Sequence, residues 1–107
     1  MNIIDIVYPS SYNEVVKYFD WDPIKNVKLL AERSICFEDI VAAFDAGKLL
    51  DTIIHPNQKR YPEQRIFIVE VERYAFLVPF IEDEEKIFLK TIYPSRKFTT
   101  KYIGRRK

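Results

Sequence analysis

The C-terminal fifth of the chain combines positive charge with aromatic side chains. Positions 86–107 hold eight basic residues and no acidic one: Lys86, Lys90, Arg96, Lys97, Lys101, Arg105, Arg106 and Lys107. The remaining residues, 1–85, hold nine basic and 16 acidic side chains, a net charge of −7. The cations alternate with four aromatic residues, Phe88, Tyr93, Phe98 and Tyr102. Aromatic faces stack on unpaired bases while Lys and Arg bind phosphate, so this pattern indicates a nucleic-acid surface, with a solvated basic tail as the alternative.

A second candidate for chemistry is the polar loop that contains the single histidine. It reads His55-Pro56-Asn57-Gln58-Lys59-Arg60-Tyr61. Histidine changes charge near neutral pH and therefore transfers protons readily, and loops on a rigid scaffold often carry function. A lone loop histidine is also frequently incidental, so both interpretations of His55 stay open.

The composition excludes several kinds of site. Two glycines are too few for a Gly-rich phosphate loop, and one histidine with one cysteine argues against a zinc or iron centre. We therefore expect neither metal nor cofactor. The lone cysteine cannot form an internal disulfide, and the sequence shows neither a signal peptide nor the roughly 18 apolar residues of a membrane span. We expect one soluble, cytoplasmic domain over residues 1–107.

The elements that must position these residues begin with a strand and a helix. Residues 2–8 are apolar and can form a short strand. The apolar residues of 12–19 have helical spacing, and Ser11 with Glu14 forms a capping-box pattern, so a helix is predicted there. The aromatic tract 18–21 also suits a short strand.

Two further helices are predicted before the sheet. Asp22 followed by Pro23 is a typical helix start, because Asp caps and proline suits the first helical position. One face of this helix carries Ile24, Val27 and Ala31. The next helix begins near Phe37 and ends at Gly47.

The second half of the chain has the period of β-strands. Four strands are predicted: Leu49–Ile54, Arg65–Glu72, Tyr74–Ile81 and Lys86–Tyr93. Short polar turns at 72–73 and 83–85 imply an antiparallel meander, and Pro79 predicts a bulge or an unpaired edge. Side chains alternate between the two faces of a strand, which directs Phe88, Lys90 and Ile92 to the open face of the sheet. The other set, which meets the helices, is Ile87, Leu89, Thr91 and Tyr93. The fold class is α+β, with N-terminal helices on one face of a four-stranded antiparallel sheet.

Three motifs resemble the BrnT-type toxins of the RelE-like superfamily. The first is Phe19-Asp20-Trp21-Asp22-Pro23-Ile24-Lys25, the second is Ile35-Cys36-Phe37-Glu38-Asp39, and the third is Ile92-Tyr93-Pro94-Ser95-Arg96-Lys97. The resemblance covers residues 19–102, which leaves 1–18 as an N-terminal extension and 103–107 as a basic tail. The chain departs from the family at Arg33-Ser34, where the family usually has His-Gly, at Cys36, which replaces a serine, and at Pro94-Ser95.

The resemblance implies a metal-independent endoribonuclease that cleaves RNA and inhibits translation. Such cleavage needs a base for the 2′-hydroxyl, cations for the phosphorane and an acid for the leaving oxygen. We expect Lys90, Arg96 and Arg65 to contact phosphate and His55 or a tyrosine to transfer protons. The expected RNA-binding residues are Lys59, Arg60, Tyr61, Tyr93, Ser95, Lys97, Lys101 and Tyr102. The alternatives are a solvated strand lysine for Lys90, a surface ion pair for Arg96 and a salt bridge for Arg65.

The resemblance also implies a cognate antitoxin, with a heterotetramer as one assembly to expect, and no membrane partner. Trp21, Phe19 and Tyr18 are then either an interface cluster or part of the core. Two other functions explain the basic block equally well. One is a non-catalytic nucleic-acid-binding module, and the other is an inactive partner whose basic tail docks an acidic protein.

Overall fold

A computed structural model describes residues 4–9 and 14–104 of the chain. Its strands are β1 (Ile4–Pro9), β2 (Glu14–Asp20), β3 (Leu49–Ile54), β4 (Arg65–Val71), β5 (Tyr74–Glu82), β6 (Lys86–Leu89) and β7 (Tyr93–Pro94). Its helices are α1 (Pro23–Arg33), α2 (Phe37–Asp45) and the short α3 (Arg96–Phe98), which continues into a π-helical turn, Thr99–Ile103. We call α3 and this turn together the C-terminal segment. None of the described helices is long and apolar enough to cross a membrane.

The strands form one mixed sheet, which confirms the α+β class and corrects the sheet that was expected. Within the described residues the order is β1-β2-β6-β5-β4-β3, and the two-residue β7 pairs with β5. The pair β2–β6 is parallel, whereas all the other pairs are antiparallel. The expected four-stranded antiparallel sheet corresponds to β3–β6, and the N-terminal residues add two strands beyond β6.

The helix predicted over 12–19 is wrong, because residues 14–20 form β2. Tyr18, Phe19 and Asp20 pair with residues 86–88 of β6, while β1 pairs along the other edge of β2. The β-branched pair Val15-Val16 suits a strand, and eight residues are too few for apolar spacing to separate the two structures. The predicted cap at Ser11 lies outside the described residues. The short strand expected within 2–8 agrees with β1.

Both long helices begin where the sequence predicts, and α2 ends close to the stop predicted at Gly47. The Asp22 carboxylate accepts a hydrogen bond from Ile24 N at 2.9 Å, which caps α1. Asn26 on α1 joins the two helices, because its Oδ1 accepts from Phe37 N at 2.7 Å and its Nδ2 donates to Glu38 at 2.8 Å. Gly47, with φ of 73°, follows the end of α2.

The core lies between α1, α2 and one face of the sheet. Trp21 and Phe19 are buried there, and Trp21 stacks on Phe37 with ring centroids 5.4 Å apart. Phe67 of β4 stacks on Phe80 of β5 at 3.8 Å beneath the helices. Burial of Trp21 and Phe19 confirms the core interpretation of these residues and removes them from any interface cluster.

The second face of the sheet is partly covered, whereas the sequence predicted it to be open. The C-terminal segment packs across it, and Thr99 Oγ1 accepts from Ala75 N at 2.8 Å. As a result, Ile66, Ile68 and Leu77 are buried on this side as well. The basic C-terminal residues therefore form part of the fold through Ile103.

Strand β5 changes its pairing partner beside Pro79. Strand β5 pairs with β7 at residues 76–77 and with β6 at residues 80–82, so Pro79 lies in the gap between the two. Of the two outcomes predicted at Pro79, the unpaired edge is observed on the β6/β7 side, whereas the register with β4 continues without a bulge. The chain leaves the sheet after Leu89, and Ile92 turns into the core, fully buried. The predicted strand parity therefore holds through Lys90 and fails beyond it.

Candidate active site

A pocket of about 480 Å³ opens in the gap between β6 and β7, on the sheet face opposite α1 and α2. We call it the His55 pocket. Its lining residues are His55, Tyr61, Gln64, Pro79, Lys90, Thr91 and Tyr93. Four of them, His55, Tyr61, Lys90 and Tyr93, were candidates from the sequence, and they come from the 55–64 loop and from the chain that follows β6. The tertiary fold therefore brings the proton-transfer candidates together with one phosphate-binding candidate, Lys90.

The 55–64 loop holds its own shape through internal hydrogen bonds. His55 N donates to Gln64 O at 3.0 Å, which closes the loop at its base. Asn57 organises the interior, since its carbonyl accepts from Tyr61 N at 2.9 Å and its Oδ1 accepts from Arg60 N at 3.2 Å. The rings of His55 and Tyr61 lie 4.4 Å apart between centroids. This arrangement gives the pocket one firm aromatic wall.

The hydrogen bonds of His55 define what its ring can do. Its Nδ1 accepts from Asn57 N at 3.0 Å. A ring nitrogen that accepts a hydrogen bond carries no proton, so the neutral ring in this arrangement bears its N–H on Nε2. His55 therefore offers a hydrogen-bond donor to a ligand. Before Nε2 can act as a base, the ring must give up the bond to Asn57.

Lys90 is held at the rim by the backbone. Its N–H donates to Pro79 O at 2.8 Å, across the gap where the ladder changes partner. Its side chain is exposed, with Nζ 5.6 Å from the centroid of the Phe88 ring. A lysine anchored at the main chain and free at the ammonium group suits a phosphate clamp. Strand parity predicted the neighbourhood of Lys90 and Phe88 correctly.

Tyr93 forms the opposite wall of the pocket and is half-buried. Burial raises the pKa of the Tyr93 phenol above its ordinary value, because desolvation disfavours the phenolate. The hydroxyl therefore remains protonated at neutral pH and serves as a donor. The sequence predicted that Tyr93 faces the helices, whereas it lines this pocket on the other side, since the chain leaves the strand after Leu89.

The C-terminal segment adds positive charge to the same face of the sheet. Lys101 Nζ lies 5.3 Å from the Tyr102 ring, and Lys97 Nζ lies 5.5 Å from the Phe98 ring. The cations and aromatic rings that alternate in the sequence therefore also lie close together in the structure. The Tyr102 hydroxyl, however, donates to Asp51 on β3, which ties the segment to the sheet.

Arg65 is separated from the pocket by the sheet. It shares a face of β4 with the core residue Phe67, and its guanidinium lies 5.0 Å from the Phe80 ring. Its ion pair is with Glu82, which also binds Lys17 at 2.6 Å. The salt bridge considered for Arg65 is thus observed, and the expectation that Arg65 reaches the surface of Lys90 is corrected.

Other predicted residues lie near the pocket without lining it. Arg96 begins α3 and is exposed, and within the described part of the chain it makes no ion pair. Ser95 caps that helix through its Oγ, which accepts from Phe98 N at 3.1 Å. Lys59 and Arg60 are exposed on the 55–64 loop, and Arg60 lies over the Tyr61 ring at 5.6 Å.

Besides Pro79, two lining residues, Gln64 and Thr91, were not predicted to belong to the site. Gln64 precedes β4, and its neighbour Arg65 points to the other face because side chains alternate along a strand. Thr91 lies in the turn between β6 and β7, where parity no longer applies. Neither residue type carries a sequence signal for catalysis, so only the folded arrangement identifies them.

The described residues contain no cluster of three or more His, Cys, Asp or Glu side chains suited to a metal ion.

No protein-family model matches the sequence, and neither the curated proteins nor the solved structures contain a significant match. The function is therefore inferred from the geometry of the site and from the motifs of the chain.

Proposed function

We propose that this protein is a metal-independent endoribonuclease that cleaves single-stranded RNA. On this proposal it is a BrnT-like toxin with a RelE-related fold, which inhibits translation and is neutralised by a cognate antitoxin. The observation that carries the proposal is the convergence of His55, Tyr61, Lys90 and Tyr93 in one pocket. The pocket shares its sheet face with the cations and aromatic rings of the C-terminal segment, which suits a strand of RNA.

The roles follow from the geometry of each group. The Lys90 ammonium binds a non-bridging phosphate oxygen and stabilises the charge that develops on the phosphorane. The N–H on His55 Nε2 and the protonated Tyr93 hydroxyl donate hydrogen bonds to phosphate oxygens. Tyr61 offers a ring face to a base, and Arg96 binds the neighbouring phosphate outside the pocket. The proposed phosphate ligands are therefore Lys90 and Arg96. Arg65 is not one of them, because it forms an ion pair with Glu82 on the other face of the sheet.

A second function, RNA binding without cleavage, is favoured by one specific observation. The pocket is rich in donors and poor in bases, since His55 Nδ1 is already engaged by Asn57 and the phenol of Tyr93 remains protonated. Cleavage therefore requires His55 to exchange its bond with Asn57 for one with the 2′-hydroxyl. A binding module requires no such change.

A cleavage assay separates the two functions. A 5′-labelled single-stranded RNA is incubated with the purified protein in the presence of a chelator, and the products are tested for 2′,3′-cyclic phosphate ends. We expect cleavage, and we expect Lys90→Ala/Arg96→Ala to lower its rate by about 100-fold or more, as for the loss of donors that stabilise a transition state. Binding that persists without products favours the binding module.

The matched control is Lys48→Ala/Arg73→Ala. Both of its side chains are exposed, and this double substitution also removes two positive charges, but at sites away from the pocket. Arg73 lies in the turn at the other end of the β4–β5 hairpin. Equal loss of cleavage in both double variants would show that only net charge matters and would remove the site assignment. Expression in bacteria gives the cellular test, since growth arrest must disappear in the Lys90→Ala/Arg96→Ala variant alone.

A further inference from the structure

Helix α1 presents large apolar side chains to solvent. Ile24 is 78% exposed, Val27 70% and Leu30 55%, whereas Leu29 is the buried residue of this helix. An open concavity of about 500 Å³ runs along the exposed side. We call this surface the α1 face, and its residues are Pro23, Ile24, Val27, Lys28 and Ala31. Contiguous apolar surface of this kind marks an interaction site more often than isolated exposed residues do.

The attachment of α1 to the domain does not use this face. Leu29 reaches the core, and Asn26 binds the start of α2 through Phe37 N and Glu38. Both contacts lie on the side of the helix away from Ile24 and Val27, as expected from 3.6 residues per turn. The apolar stripe is therefore unnecessary for packing within the described residues. Its spacing at i, i+3 and i+7 is that of a surface that accepts another helix.

The charges beside the stripe define the partner. Helix α1 carries Lys25, Lys28 and Arg33 against a single acidic residue, Glu32. The Arg33 guanidinium is directed away, since it donates to Ile92 O in the body of the domain. Lys25 and Lys28 flank the α1 face on one side together with Glu32, which leaves a net positive charge on that flank. We propose that this face docks an amphipathic helix of a partner protein whose apolar stripe is bordered by acidic residues.

A second copy of the chain fits this surface less well. If two α1 helices pair antiparallel about a two-fold axis, the middle of each helix meets the middle of the other. Lys28 is the central residue of Pro23–Arg33, so the two ammonium groups approach each other, and like charges in such an interface are unfavourable. A partner with acidic residues in the same place converts this repulsion into attraction.

This inference is independent of the proposed ribonuclease function. The α1 face shares no residue with the His55 pocket, and the sheet lies between them. Partner binding and RNA cleavage can therefore succeed or fail separately in the same set of variants.

The test uses the whole chain and two labelled peptides. The first is an amphipathic helix of about five turns, with a Leu and Ile stripe flanked by Glu, and the second has Lys in place of every Glu. Their affinities are measured by fluorescence anisotropy. We expect the acidic peptide to bind about tenfold or more tightly than the basic one, because rim charges select partners by sign.

Three variants locate the binding. Ile24→Ser/Val27→Ser must weaken binding of the acidic peptide about tenfold, since it removes the apolar stripe, and Lys25→Glu/Lys28→Glu must reverse the preference between the peptides. Ile54→Ser is the matched control, because Ile54 is 65% exposed on β3 and belongs to neither site. Circular dichroism verifies the fold of each variant.

Three results would overturn the proposal. Equal affinities of the two peptides would remove the charge argument, and unchanged binding in Ile24→Ser/Val27→Ser would remove the site. A homodimer in sedimentation that the same double variant dissociates would make a second copy the occupant of the α1 face. Cleavage of RNA by Ile24→Ser/Val27→Ser is expected to equal that of the natural chain, which keeps this test separate from the proposed function.

Discussion

At the scale of single residues, Tyr102 shows how one hydrogen bond gives a candidate RNA-binding side chain a structural role as well. Its ring remains a candidate for stacking on RNA, while its hydroxyl donates to Asp51 on β3. This bond lowers the pKa of the Asp51 carboxyl, and the carboxylate in turn raises the pKa of the Tyr102 phenol. The pair therefore attaches the C-terminal segment to the sheet in one charge state, an ionised acid and a neutral phenol.

Replacement of Tyr102 by Phe is expected to lower the melting temperature most between about pH 5 and pH 9. The lowered pKa of Asp51 means that its contribution is present above the ordinary pKa of aspartate and is lost as the pH falls through the folded value. The raised pKa of Tyr102 means that its contribution is present below the ordinary pKa of tyrosine and is lost as the pH rises through the folded value. Thermal unfolding across this range measures both limits. Tyr74→Phe is the control, and an effect of Tyr102→Phe that does not vary with pH would contradict the pairing.

At the scale of elements, Asn26 compensates for the weak cap at the start of α2. Cys36 precedes this helix and is a poor capping residue type. Asp39 of the first turn accepts from Cys36 N at 3.0 Å. Helix α1 adds a further acceptor, since Asn26 Oδ1 binds Phe37 N while Asn26 Nδ2 holds Glu38. The bond from Asn26 Nδ2 is the largest cause of the lowered pKa of Glu38. One amide thus joins α1 to the first turn of α2 through two hydrogen bonds.

Substitution of Asn26 by Ala is expected to lower the free energy of unfolding by about 1–2 kcal/mol, the usual cost of a lost cap. Urea unfolding measures the loss. Part of it must disappear as the pH falls through the folded pKa of Glu38, since a lowered carboxyl pKa stabilises the fold only above that value. Asn26→Asp retains the acceptor for Phe37 N but places a second carboxylate against Glu38, so repulsion must add to its loss of stability at neutral pH and disappear as the carboxylates become protonated. A fully stable Asn26→Ala variant would show that α2 needs no cap from α1.

At the scale of the whole molecule, the His55 pocket and the α1 face lie on opposite sides of the sheet. The cations of the C-terminal segment and Lys90 share the face that contains the His55 pocket. The α1 face lies on the other side of the sheet. The Arg65–Glu82–Lys17 cluster, with the Glu82 side chain only 10% exposed, joins β2 to the hairpin and incorporates the N-terminal residues into the domain. If both proposals hold, RNA and the partner helix occupy different surfaces that share no lining residue.

RNA affinity is expected to fall steeply with salt. If Lys90, Arg96, Lys97 and Lys101 contact four phosphates, affinity for single-stranded RNA falls about 50-fold between 50 and 200 mM salt, from a logarithmic slope of about −0.7 per contact. Lys97→Ala/Lys101→Ala must reduce that slope by about 1.4, because two contacts are lost. Lys48→Ala/Arg73→Ala must leave the slope unchanged. Titrations at several salt concentrations measure it, and equal slopes in the two double variants would exclude the C-terminal segment from the interface.

The sequence by itself determined the features that depend on neighbouring residues. Asp22 and Pro23 predicted where α1 begins, Gly47 predicted where α2 ends, and period-two patterns predicted the strands β3 to β6, because caps, turns and alternation act over a few residues. The polar turn at 72–73 was predicted correctly, and both of its residues have positive φ. Lys90 beside Phe88 followed from the same alternation.

Only the tertiary structure decided the features that depend on distant partners. The N-terminal residues form β2 because β6, about 70 positions later, pairs with it. Arg65 forms an ion pair with Glu82 on the helix side of the sheet, so it does not lie in the phosphate-binding site that its charge suggested. Ile92 enters the core and Tyr93 lines the pocket because the ladder changes partner at Pro79. Long-range pairing is a property of two segments together, and neither segment shows it alone.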